Sequence, residues 1–113
     1  MTLAIDELFS VAGKVAIVTG GSRGIGRMIA EGFVENGVKT YITARKAEAC
    51  EQAAQELSVY GECIAVPADV SSADSRARLV ADLESREPAL NILVNNAGTA
   101  WGEDYTTFPE AAF

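Results

Sequence analysis

Histidine is absent from these 113 residues, and proline (three), cysteine (two) and tryptophan (one) are scarce. The missing histidine excludes Ser-His-Asp and Cys-His nucleophilic machinery and every His-containing zinc site. The two cysteines, Cys50 and Cys63, have neither C-x-x-C nor metal-ligand spacing, so we expect no metal site and two reduced, half-buried thiols. No apolar run reaches the ~18 residues of a membrane span, so no membrane is expected as a partner. Bases are few, 9 Lys and Arg against 16 Asp and Glu, and the net charge of −7 argues against nucleic acid. Near the N-terminus Asp6 and Glu7 appear with no base beside them, so we expect neither a signal nor a transit peptide and a cytoplasmic location.

What is present suits a folded domain. Hydrophobic residues make up 49% and charged residues 22%, a balance that disfavours disorder. The charge is unevenly spread. Between Lys14 and Lys46 the bases Lys14, Arg23, Arg27, Lys39, Arg45 and Lys46 outnumber Glu31 and Glu35, giving +4 and leaving −11 for the rest. A basic segment in an acidic chain points to a local anionic ligand, although Arg27 and Lys39 also fit plain solvated faces.

Lys14 to Thr19 is a β-branched apolar run ending in glycines, which predicts a buried strand. Gly24 to Asn36 switches to helical period, with Ile25, Met28, Ile29 and Phe33 as the predicted apolar stripe and Gly37 as the stop. Val38 to Ala44 predicts a second strand. Ala47 to Tyr60 predicts a second helix, with Ala49, Ala53, Leu57 and Tyr60 on one stripe and Gly61 closing it. Cys63 to Pro67 predicts a third strand. Ser71 to Asp74 resembles a capping box opening a third helix, whose apolar side is Leu79, Val80 and Leu83. Leu90 to Val94 predicts a fourth strand. Such alternation implies an α/β fold, a Rossmann-like doubly wound parallel sheet of four strands with three helices. Thr107 to Glu110 then reads as the start of a fourth helix, followed only by Ala111, Ala112 and Phe113. Residues 1–113 are therefore expected to form one domain, whose last helix is begun and not completed.

Between the first strand and first helix stands Thr19-Gly20-Gly21-Ser22-Arg23-Gly24-Ile25-Gly26. Glycines at 20, 24 and 26 let the chain turn sharply, let a phosphate approach the backbone and let the helix pack close to the sheet. Free N–H groups at the helix start and the positive dipole end can then hold a diphosphate. Taken alone, the pattern also fits a purely structural turn. A P-loop is excluded, because no Gly-Lys-Ser or Gly-Lys-Thr follows.

The spacing G-x-x-x-G-x-G differs from the common dinucleotide fingerprint and resembles the cofactor loop of the short-chain dehydrogenase/reductase family. Two further motifs in register carry the resemblance, Asp69-Val70 after the third strand and Asn95-Asn96-Ala97-Gly98 after the fourth. The wording of the loop and of residues 95–102 is similar to bacterial 3-oxoacyl-acyl-carrier-protein reductases, and among them to the rhamnolipid-synthesis branch. The resemblance implies a cofactor held by Gly20, Ser22, Arg23, Gly24, Ile25 and Gly26, adenine contacts from Asp69 and Val70, and a lining from Asn96, Ala97 and Gly98. Asn95 is expected to tie the strand end to its neighbours.

An acid at the end of the second strand marks NAD-binding members of dinucleotide folds. Here the family's acidic position is Ala44, followed by Arg45, whose guanidinium can grip the 2′-phosphate of NADP(H). The plain alternative is that Arg45 and Lys46 only cap the strand in solvent. The resemblance further implies that residues 1–113 are one dinucleotide-binding half-domain truncated at its C-terminus, and for the complete protein it implies carbonyl reduction with NADPH, a small-molecule or acyl-carrier substrate and a homo-oligomer. The family's catalytic Ser and Tyr-x-x-x-Lys match nothing here. Four positions after Tyr41, Tyr60 and Tyr105 stand Arg45, Ile64 and Pro109. No catalytic residue is assigned, and the chain alone is expected to be inactive. A non-catalytic nucleotide-binding module, or an interaction module recruiting a partner through the fourth strand's open edge, is the alternative.

Overall fold

The computed structural model describes residues 4–98. Its elements are α1 (Ile5–Phe9), β1 (Val15–Thr19), α2 (Gly24–Glu35), β2 (Lys39–Thr43), α3 (Ala47–Leu57), β3 (Cys63–Ala65), α4 (Ala73–Arg86) and β4 (Ile92–Val94). The four strands form one parallel sheet in the order β3-β2-β1-β4. This is the Rossmann-like arrangement expected. The short α1 was not foreseen, and the expected fourth-helix start at 107–110 lies outside the described residues.

Alternation along the strands sends neighbouring side chains to opposite faces. Val18 and Ile42 pack with Ala30 and Val34 of α2 and with Cys50, Ala53, Ala54 and Leu57 of α3. Ile17 and Tyr41 face the other way, where Val66, just past β3, and Leu79 of α4 cover them. Crossovers therefore lie on both faces.

Three predicted helix stripes are corrected. In α2 the buried residues are Gly26, Ala30 and Val34. Ile29 and Phe33 only flank this core, and Ile25 and Met28 are 69% and 68% exposed. Small side chains win the inner face because they let the helix axis approach the sheet. In α3 the buried set is Cys50, Ala53, Ala54 and Leu57. Ala49 is exposed, and Tyr60 lies past the helix end and is exposed as well. Gly61 does more than stop a helix, since a Cβ there would come within 2.8 Å of the Val34 carbonyl oxygen. In α4 Leu79 is buried, Leu83 packs beside it and Val80 is exposed.

The predicted third helix, α4, is capped by Ser72, whose Oγ accepts from the Ser75 N–H, and not by Ser71. β3 is shorter than expected, yet pairing continues past it. The N–H groups of Val66 and Ala68 donate to the carbonyls of Ile42 and Ala44, while Pro67 falls between them where no donor is required. Both thiols are free, and both are buried rather than half-buried, Cys50 at 0% and Cys63 at 8% exposure.

At the opposite end of the sheet, the C-terminus of α4 is fastened to β2. The buried Tyr41 hydroxyl donates to Glu87 Oε2 (2.5 Å), and Lys39 Nζ reaches the same oxygen at 2.6 Å. The lysine holds the Glu87 carboxyl below the usual range, and burial pushes the Tyr41 phenol up. No helix among the described residues is long and apolar enough to cross a membrane.

Candidate functional site

The parallel registers bring the carboxyl ends of the strands level: Thr19 lies opposite Thr43, and Val18 opposite Val94. β1 has β2 on one side and β4 on the other, so its end is where successive crossovers diverge. In open α/β sheets, ligands bind in the crevice at that point.

Three connections meet there. The N–H groups of Gly20 and Gly21 donate to the Thr43 carbonyl, at 2.9 and 3.3 Å, and hold the glycine loop over β2. The Thr19 hydroxyl accepts from the N–H groups of Asn96 (2.9 Å) and Ala97 (3.0 Å) and donates to the Val94 carbonyl (3.2 Å). Asn96 Nδ2 donates to the Gly20 carbonyl at 3.3 Å. The segment after β4 is thus stitched onto the glycine loop. Asn96 makes these bonds and Asn95 is exposed, so the tie expected of Asn95 belongs to its neighbour.

The glycines answer distinct demands. Gly20 (φ +66°) and Gly24 (φ +59°) occupy the left-handed region. A Cβ at Gly26 would overlap the Gly20 carbonyl oxygen and Asn96 Nδ2. Gly21, not singled out from the sequence, passes so close to β2 that a Cβ would stand 2.8 Å from Ile42 Cβ. Around Gly24 no atom of the described residues lies within 4 Å of where a Cβ would project.

α2 begins without a side-chain cap, Arg23 holding the cap position in extended backbone. Its first internal bond runs from the Arg27 N–H to the Arg23 carbonyl. Among the described residues, the N–H groups of Ser22, Arg23, Gly24, Ile25 and Gly26 meet no acceptor. Donors left open at a helix start suit an anionic oxygen. Ser22 is half-buried, whereas Arg23 and Ile25 are exposed.

Beside the loop, the half-buried Ala44 packs against the α2–α3 core, and Arg45 follows in solvent. Asp69 and Val70 are half-buried at the end of the β3 segment. The Ser71 hydroxyl and N–H both donate to Asp69 Oδ1, at 2.6 and 3.0 Å. These bonds hold the Asp69 carboxyl below its ordinary range, and the charge of Arg45 adds to the effect. Ala97 and Gly98 are exposed at the far rim. The open donors at the α2 start can hold anionic oxygens such as those of a diphosphate. Among the described residues no group of three or more acidic or thiol ligands could hold a metal ion.

The chain is 54% identical over 101 residues to the rhamnolipids biosynthesis 3-oxoacyl-[acyl-carrier-protein] reductase of Pseudomonas aeruginosa, covering 89% of this chain and 40% of that one. Among solved structures it resembles the Pseudomonas aeruginosa RhlG/NADP active-site complex (TM-score 0.78, 56% identity, 80% of this chain and 37% of that chain). It also resembles the L-sorbose reductase of Gluconobacter frateurii complexed with NADPH and L-sorbose (TM-score 0.82, 34% identity, 90% and 40%). The chain therefore spans about 40% of the length of these relatives. Residues 14–113 match the model of the short chain dehydrogenase family, and the chain belongs to that family.

Proposed function

We propose that residues 1–113 are the NADP(H)-binding half-domain of an oxidoreductase that, as a complete protein, reduces a 3-oxoacyl-type carbonyl with NADPH. The observation that carries this is the α2 start. Five N–H groups without an acceptor among the described residues stand beside glycines that keep the approach clear, and Arg45 follows Ala44 where an NAD-binding site carries an acid.

The bound cofactor supplies a hydride. This chain's residues bind and orient it: the glycine loop takes the diphosphate, Arg45 with Arg23 takes the 2′-phosphate, and Asp69 with Val70 takes the adenine. Asn96, Ala97 and Gly98 close the other side. The NADP and NADPH complexes of the related structures support this assignment. The proton donor expected of the family, a Tyr-x-x-x-Lys, is not among these 113 residues, so the chain by itself binds cofactor without turning over a ketone. The acyl-carrier substrate and the oligomer belong to the complete protein.

The test is fluorescence titration of the chain with NADPH and NADH, repeated after Ala44→Asp with Arg45→Ala. One charge-assisted contact predicts roughly tenfold to hundredfold preference for NADPH, lost in the double variant. An unchanged preference overturns the cofactor assignment. Ketone reduction by the 113-residue chain overturns the division of labour.

A further inference from the structure

The turn carrying Asp69 and Val70 is held at several points that do not involve its carboxylate. The Asp69 N–H donates to Ser75 Oγ (2.9 Å), and the Ser72 N–H donates to the Asp69 carbonyl (3.1 Å). Arg76 Nη1 donates to the Val70 carbonyl at 2.8 Å. The backbone is therefore fixed without Ser71, an exposed residue outside the cores.

The Ser71 hydroxyl acts elsewhere. It adds a 2.6 Å bond to an oxygen, Asp69 Oδ1, that already accepts the Ser71 N–H. Both local donors thus fall on one oxygen, and Oδ2 accepts no hydrogen bond among the described residues. A carboxylate with one oxygen saturated and the other open presents a single acceptor in a fixed direction. That suits an exocyclic amino group and disfavours a carbonyl oxygen at the same place.

We propose that Ser71 is a positioning residue for recognition of the cofactor's base, committing Asp69 Oδ1 so that Oδ2 accepts from the 6-amino group of adenine. This rests on the proposed NADP(H) site. Ser71 touches no cofactor atom. It narrows the rotamers of the carboxylate that does, and so lowers the ordering cost of that contact.

The experiment is calorimetric titration of the 113-residue chain with NADP+ and with its hypoxanthine analogue, deamino-NADP+, which carries a carbonyl oxygen in place of the 6-amino group. The wild-type chain prefers NADP+ by about tenfold, the worth of one hydrogen bond to a charged acceptor. Ser71→Ala lowers that ratio about three- to tenfold, Ser71→Thr preserves it because the hydroxyl remains, and Asp69→Ala brings it to parity. A merely structural role would change both affinities together and leave the ratio alone. An unchanged ratio in Ser71→Ala, a threonine variant that falls as far as alanine, or a wild-type ratio of one overturns the proposal. No saturable NADP+ binding at all removes the cofactor site itself, and this role with it.

Discussion

Three glycines of α2 turn one chemical change, glycine to alanine, into a test of the site geometry. Gly32 is exposed, has a negative φ and has nothing within 4 Å of a Cβ, so alanine there gains about 0.8–1.0 kcal/mol of helix propensity. Gly24 also has open space around it, but its φ of +59° makes alanine pay about 1–2 kcal/mol of backbone strain. Reduced freedom of the unfolded chain returns about 0.4–1 kcal/mol, for a net loss of about 1 kcal/mol. Gly26 has an ordinary φ, but its Cβ would overlap the Gly20 carbonyl oxygen and Asn96 Nδ2. The amide can swing aside, whereas the carbonyl is backbone, held where the adjoining Gly20 and Gly21 N–H groups bond to Thr43. Overpacking of this kind costs about 1–3 kcal/mol, more than propensity returns. Urea unfolding followed by circular dichroism should rank the midpoints Gly32→Ala, wild type, Gly24→Ala, Gly26→Ala. Their spread is about 2–3 kcal/mol, near 1 M in urea for a chain of this size. Adding Asn96→Ala to Gly26→Ala should recover little, since the carbonyl remains. If Gly26→Ala is as stable as Gly32→Ala, the close approach of helix and loop is refuted.

The fastening of α4 makes a second prediction. Tyr41→Phe removes the hydroxyl bond to Glu87 but leaves the Lys39 pair, so it should cost about 1–2 kcal/mol in a denaturant melt, and no loss would refute the bond. The cysteines make a third. Burial pushes the Cys63 thiol up to about 11 and raises Cys50 as well, so a thiol reagent near pH 8 should titrate almost no thiol in the native chain and two after unfolding. The same shift has a stability consequence. The folded thiol keeps its proton where the unfolded one has lost it, so the contribution is complete below about pH 9 and declines toward 11. The slope is about 1.4 kcal/mol per pH unit in that window. Cys63→Ala should flatten this alkaline limb, and a limb unchanged by that substitution would refute the assignment.

The alternation of strands and helices and the parallel sheet were legible because each strand is a short apolar run bounded by turn residues, and parallel crossovers allow few arrangements. The helix faces were not legible in the same way. Periodicity weights large apolar residues and so selected Ile25 and Met28, while the sheet is contacted through Gly26, Ala30 and Val34. Which stripe turns inward depends on how near the helix must come. That distance is set by the Gly26 contact with Gly20 and Asn96, made across 76 residues of chain between loop and asparagine.

The same limit recurs in the candidate site, always between neighbours of one kind. Gly20 and Gly24 were readable because each requirement is local, a left-handed turn at the strand end or the helix start, and Gly26 was readable from the motif spacing rather than from its contact with Gly20 and Asn96. Gly21 and Thr19 were not, since one is required by Ile42 and the other by Asn96 and Ala97. Of two adjacent asparagines, composition cannot tell that Asn96 reaches the loop and Asn95 meets solvent, because successive residues leaving a strand face opposite ways. Of two adjacent serines, Ser72 caps α4 and Ser71 binds Asp69, a division set by where the helix begins. A one-residue shift in that helix start would place the other serine at the cap and free the Asp69 carboxylate. The roles of such pairs are properties of register, which the long-range hydrogen bonds decide and the residue types do not.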